Sequence, residues 1–259
     1  MRENSTKAAW RRGEVTYGAW LSIPSAFSAE VVARQGFDWV CIDMQHGVID
    51  YQAAVTMLLA ISTGGATPIV RVPWNEPGII GKMLDAGAMG IIVPMVNSVD
   101  EARAAVAACR YAPVGARSYG PTRAALYAGA DYYDHANAEV ACIPMIETKR
   151  ALDQLDAILD VPGIDAVYVG PADMSITLGL QPRMDNAGAF DEARLAIARA
   201  CAARGIAPGI HGDASLAAGH AAAGYRMITI TSDIAAIASG GAADLRHVGR
   251  VGRPGASTP

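Results

Sequence analysis

Residues 68–96 read PIVRVPWNEPGIIGKMLDAGAMGIIVPMV. The apolar run Pro68–Arg71 predicts a short strand, Pro77–Ala86 a helix, and Gly90–Val93 a second strand. Strand, helix and strand in so short a span form a parallel crossover unit. Both strands are continuously apolar, which suits a sheet buried on both faces.

The same unit recurs in both directions. Towards the start, Val15–Leu21 and Trp39–Asp43 predict strands, followed by helices over Ser25–Gln35 and Tyr51–Ser62. Towards the end, Ser98 with Glu101 three residues on forms a capping box that opens a helix. Strands are then predicted at Val140–Ile146, Ala166–Val169, Pro208–Ile210 and Met227–Ile230, with helices centred near residues 155, 198, 219 and 238. Eight strand–helix units predict a (β/α)8 TIM barrel, a single domain over residues 15–251. An open doubly wound sheet would want a glycine-rich phosphate turn after an early strand, and the first strand ends in LSIPSAFS instead. Residues 1–14 read as a flexible N-terminal segment and 252–259 as a disordered tail. Residues 111–138, rich in Tyr, Gly and Pro, read as one long irregular loop.

Composition removes several function classes. The formal net charge is −4, so no basic surface points to nucleic acid. No window approaches a membrane span, and MRENSTKAAWRRGE lacks the apolar core of a signal peptide. The four cysteines lie far apart with no C-x-x-C pair, which argues against zinc and redox motifs. Buried thiols and a cytoplasmic location are expected.

In such a barrel, reactive groups stand at the C-terminal ends of the strands. Strand two gives Asp43, Gln45 and His46, and strand three gives Arg71. Strand five gives Glu147, strand six Asp173, strand seven His211, and strand eight Ser232 and Asp233. Each alone has a bland reading as a helix cap, ion-pair partner or core histidine. Two carboxylates, an arginine and a histidine aimed at one mouth make a poor structural device, because unpaired charges there repel or lose hydration. A divalent cation between Glu147 and Asp173 removes that objection. Oxygen ligands without a thiol or histidine pair suit Mg²⁺, Mn²⁺ or Co²⁺ with open positions for a chelating 2-oxo acid. Gly170 and Ala172, in GPAD, let a ligand carboxylate approach backbone N–H groups.

The motifs IDMQHG, RVP, DAGAMGIIVPMV, GARSYGPTRA, IPMIET and GPADMS…LG together resemble the metal-dependent class II pyruvate aldolases. This is the hydroxy-oxo-heptanedioate aldolase family, related to the citrate lyase beta subunit. The likeness runs from about Gly18 to Ser232. It implies a hexamer, a trimer of dimers, with the last helix exchanged between subunits. It implies a divalent metal on Glu147 and Asp173, Arg71 at the enolate oxygen, and His46 as acid/base group. Asp43 and Asp85 match acids that support the histidine or the subunit contact. Gly170 and Ala172 match the cradle for the pyruvate carboxylate. Two positions depart from the family pattern: Gln45 replaces an acid before the histidine, and Met145 replaces a glutamine before the metal glutamate.

The expected reaction is reversible cleavage of a 4-hydroxy-2-oxo acid to pyruvate and an aldehyde. A decarboxylase or acyl lyase using the same enolate site is the alternative, and a non-enzymatic acid-binding barrel the third reading. Arg117, Arg123 and His211 are the expected contacts to the aldehyde portion, with an ordinary loop ion pair as the other reading of the two arginines.

Overall fold

The structure is a computed structural model and describes residues 1–250. Its eight parallel strands are β1 (Thr16–Leu21), β2 (Trp39–Asp43), β3 (Thr67–Arg71), β4 (Gly90–Val93), β5 (Ala141–Pro144), β6 (Ala166–Val169), β7 (Ala207–Ile210) and β8 (Met227–Ser232). They pair in the order β5-β4-β3-β2-β1-β8-β7-β6. The remaining seam, between β5 and β6, carries one parallel bridge, Met145 to Tyr168, with Ile146 N–H donating to the Tyr168 carbonyl at 2.9 Å. The ring of strands is thus a nearly closed (β/α)8 barrel, as the strand–helix repeat predicts.

Two cores follow from strands buried on both faces. Outside the ring, Val40, Ile42, Val70, Ile91 and Val93 pack beneath helical residues such as Leu58, Ile80 and Ile197. Inside it, Trp20, Trp39, Cys41, Ile69, Ile92, Ile143 and Tyr168 fill the bore. Gly18 makes room there, since a Cβ on it would stand 2.2 Å from the Trp39 ring. The Ser98 cap forms as expected, with its Oγ accepting the Glu101 N–H at 3.2 Å.

Two sequence expectations need correction. The segment 1–14 is not loose: Ser5–Arg11 is a helix that closes the floor of the barrel. Trp10 joins the interior core, and its Nε1 donates to Thr16 Oγ1 at 2.9 Å. Asn4 caps the helix and donates to the Met89 and Glu139 carbonyls, both at 2.9 Å. Lys7 pairs with Asp165 at 2.6 Å. Two of the four residues this helix buries, Thr6 and Lys7, are polar, as is its cap Asn4, and a hydrophobic pattern does not report them. Residues 111–138 are likewise ordered, holding helices Thr122–Ala128 and Tyr132–Glu139. A third apolar cluster of Met89, Tyr111, Ala124, Ala128, Tyr132 and Ala136 packs them down. The tail 252–259 lies outside the described residues.

Candidate active site

β2 and β3 end side by side, with Asp43 in register with Arg71. Arg71 Nε and Nη2 donate to Asp43 Oδ1 and Oδ2 at 2.8 and 2.6 Å, a two-point geometry that fixes the guanidinium plane. The Trp20 ring flanks it, with its centroid 4.9 Å from Arg71 Cζ. Asp43 also accepts the backbone N–H groups of Gln45 at 3.0 Å and His46 at 3.3 Å. One buried carboxylate therefore shapes the turn and anchors the arginine. Burial pushes the Asp43 carboxyl up, but the Arg71 bonds and charge, together with other N–H donors such as that of His46, outweigh it and hold the group below the usual carboxylate range.

His46 is exposed on that turn. With Trp20, Asp43, Arg71, His211 and Ser232 it lines a cavity of about 260 Å³. His211 touches the Trp20 ring edge-on, centroids 5.0 Å apart. Burial, and next the Arg71 charge, push its imidazole down to about 4, so it is neutral at pH 7.

Glu147 follows β5 and is 2% exposed. Its Oε1 accepts the Met95 N–H at 2.7 Å. Met95 holds φ at 55°, a left-handed conformation that non-glycine residues seldom adopt, so the turn after β4 is strained in aiming that N–H. Gly170 bounds the other side: a Cβ there would lie 2.4 Å from Glu147 Oε2. Close approach to Glu147 is thus a reason for glycine at 170. Asp173 adds negative charge from the first turn of the Pro171–Thr177 helix. Burial, against the Met95 N–H and helped by Asp173, pushes Glu147 up to about 7. Arg71 acts on it only through space, and no lysine or arginine pairs with it among the described residues. No group of three His, Cys, Asp or Glu side chains converges among the described residues. A two-carboxylate, all-oxygen set fits a hard divalent cation that takes its other ligands from water or substrate.

Several predicted site residues stand elsewhere. Gln45 turns its amide inward, and its Oε1 is buried without a partner among the described residues. Asp85 ends the Pro77–Asp85 helix and pairs with Arg117 at 2.8 Å, so within one chain it is not beside His46. Arg117 as a substrate contact is corrected: it is buried, donates to Tyr132 Oη at 3.0 Å and lies 4.4 Å from the Tyr111 ring centre. Arg123 is corrected too, since it donates to the Ala86 and Leu58 carbonyls at 2.6 and 3.3 Å and to Ser62 Oγ at 3.1 Å. Both arginines tie helices together. Sequence reasoning missed Trp20, which reads as core in an apolar strand, and Met95, whose backbone strain leaves no mark on residue type. It noted Asp233 without a role. That carboxylate accepts the Ser22 and Ile23 N–H groups and shapes the turn after β1.

The sequence pattern of the HpcH/HpaI aldolase/citrate lyase family matches residues 16–239. The chain belongs to this family. It is 41% identical over 238 residues to the hydroxypyruvate/pyruvate aldolase of Rhizorhabdus wittichii, covering 91% of this chain and 95% of that protein. It is 43% identical over 180 residues to the 4-hydroxy-2-oxo-heptane-1,7-dioate aldolase of Escherichia coli, covering 68% and 69%. The crystal structure of an HpcH/HpaI aldolase/citrate lyase family protein from Burkholderia cenocepacia superposes with a TM-score of 0.89 at 35% identity, covering 95% of this chain and 99% of that one. The barrel of this chain is therefore the family's barrel.

Proposed function

We propose that the chain is a carbon–carbon lyase that reversibly cleaves a 4-hydroxy-2-oxo acid into pyruvate, or a close 2-oxo acid, and an aldehyde. What supports this most is the mouth of the barrel. Uncompensated charge on Glu147 and Asp173 shares it with an Arg71 locked in place by Asp43. Glu147 and Asp173 would hold Mg²⁺, Mn²⁺ or Co²⁺, which supplies Lewis acidity towards the substrate's oxo and carboxylate oxygens. Gly170 and Ala172 face the substrate carboxylate with backbone. Arg71 opposes the negative charge that grows on the oxo oxygen as the C3–C4 bond breaks. Held by Asp43 and Trp20, it needs no reorganisation as that charge appears. His46 takes the 4-hydroxyl proton in cleavage and returns it in condensation, work that suits an imidazole.

No lysine among the described residues stands ready for an imine route, and Lys7 is paired with Asp165 at 2.6 Å. Lys82 lies within a helix, and Lys149 pairs with Asp153 at 2.7 Å. Both curated relatives carry aldolase names, which favours aldol cleavage over decarboxylation at the same site. The test is to strip the protein with a chelator and add back each metal with pyruvate and an aldehyde. Activity is expected to return with metal, and full activity in stripped protein would sink the proposal.

The same reading includes a hexamer with an exchanged last helix. In the Asp233–His247 helix only Asp233 is buried, and Ile237 is 63% exposed. Across an apolar cleft of about 520 Å³, Phe27 is 76% exposed. Such a face suits another copy of the chain. Light scattering should give six chains per particle, and a monomer would contradict it. Four free, buried cysteines suit a reducing cytoplasm.

A further inference from the structure

Behind His211 stands a short chain of hydroxyl groups. Tyr168 Oη lies 3.5 Å from His211 Nδ1 and hydrogen-bonds Thr229 Oγ1 on its other side. Tyr168 and Thr229 are both fully buried, with no water-facing surface to satisfy them. Two proton orders are conceivable. If His211 Nδ1 donated to Tyr168, and Tyr168 to Thr229, the Thr229 hydroxyl proton would have no acceptor, side chain or backbone, among the described residues and would be buried unpaired. If Thr229 donates to Tyr168, and Tyr168 to Nδ1, every hydroxyl proton is used. Buried donors are almost always satisfied, so the second order wins. It leaves the proton of the neutral ring on Nε2, which has no protein partner among the described residues. His211 lines the same cavity as Arg71 and His46.

We propose that His211 Nε2–H is a hydrogen-bond donor that selects substrates carrying a hydroxyl on the carbon next to the reacting carbonyl. Tyr168 and Thr229 are positioning residues that fix the tautomer. The proposal rests on the aldolase reading above and narrows its substrate class. The hydroxyl belongs either to the aldehyde or to the 2-oxo acid, and both present the same acceptor oxygen. Burial keeps the imidazole uncharged, so it offers one directed donor beside Arg71 rather than a second cation. A pocket built to bond a hydroxyl rejects the analogue that lacks it, because the pocket's own polar group is then left unpaired.

The test uses pairs of equal size in the metal-loaded enzyme. Glycolaldehyde is compared with propanal, each with pyruvate. Hydroxypyruvate is compared with 2-oxobutanoate, each with one common aldehyde. The kcat/KM ratio within a pair cancels any general damage from a substitution. Wild type is expected to favour the hydroxylated member of one pair by about 10- to 100-fold, and the pair that responds names the source of the hydroxyl. His211→Phe should bring that ratio to within about threefold, and His211→Gln should restore part of it. ¹⁵N NMR of the wild-type ring at pH 7 should show a proton on Nε2 alone, and Tyr168→Phe should mix the two tautomers. Ratios near one for both pairs in wild type would overturn the proposal, as would a large ratio that survives His211→Phe or a ring protonated on Nδ1. Those results leave the aldolase reading standing. No turnover with any acceptor would overturn both.

Discussion

At the floor of the barrel, Asp165 lies between Lys7 at 2.6 Å and Arg110 at 2.7 Å, and it accepts the Cys142 N–H at 2.9 Å. At the mouth, Glu147 is more deeply buried but is bonded by only one backbone N–H, faces the like charge of Asp173 and feels Arg71 only through space. The floor cluster carries its own counter-charges, whereas the mouth cluster is short of a cation. In a barrel this division is physical as well as functional. The floor serves stability, and the mouth holds groups whose costs are met only when a ligand arrives. Asp43 and Arg71 mark the boundary between the two kinds, a satisfied pair placed among groups that are not.

Three substitutions sharpen that contrast. Asp165→Asn leaves Lys7 and Arg110 buried without their counter-ion. It should cost about 3–5 kcal/mol, seen as a fall in Tm on the order of 10 °C. A loss below 1 kcal/mol would mean the floor charges reach water. Arg71→Ala should lower pyruvate proton exchange about 10²- to 10³-fold, and it also strips Asp43 of its partner. Exchange at the wild-type rate would remove Arg71 from the chemistry.

The third concerns the metal-free protein and Glu147. Its folded value, about 7, lies above the usual 4.5. Between those two values the folded state binds the extra proton, so this group's contribution to stability is present at low pH and is lost as pH rises towards 7. Metal-free wild type should therefore lose stability between pH 5 and pH 8 relative to Glu147→Gln, and thermal melts of both proteins check this. Parallel melts would contradict it. Metal binding must displace that proton, so apparent affinity should weaken about tenfold per unit below pH 7.

The fold was legible because eight apolar runs alternate with helices, and periodicity reports burial. The placement of Asp43, Arg71, Glu147, Asp173 and His211 around the mouth was legible because barrel topology sends strand ends there. The Ser5–Arg11 helix was not, because Asn4, Thr6 and Lys7, which dock it beside Ala9 and Trp10, are residue types that usually face water. Arg117 and Arg123 misled because an arginine in a loop motif looks the same whether it awaits a substrate or caps a helix. Only their partners, Asp85 and the Ala86 and Leu58 carbonyls, tell the two apart. Met95 carried no signal, since its part is played by a backbone angle.

The central claim is that the unbalanced charge at Glu147 and Asp173 is a cation site. Titration of chelator-treated protein with Mn²⁺, followed by electron paramagnetic resonance at pH 8, tests it directly. The account predicts one Mn²⁺ per chain in wild type and a loss of that site in Glu147→Gln. Mn²⁺ binding that is unchanged by Glu147→Gln, or no binding in the wild type, would contradict it.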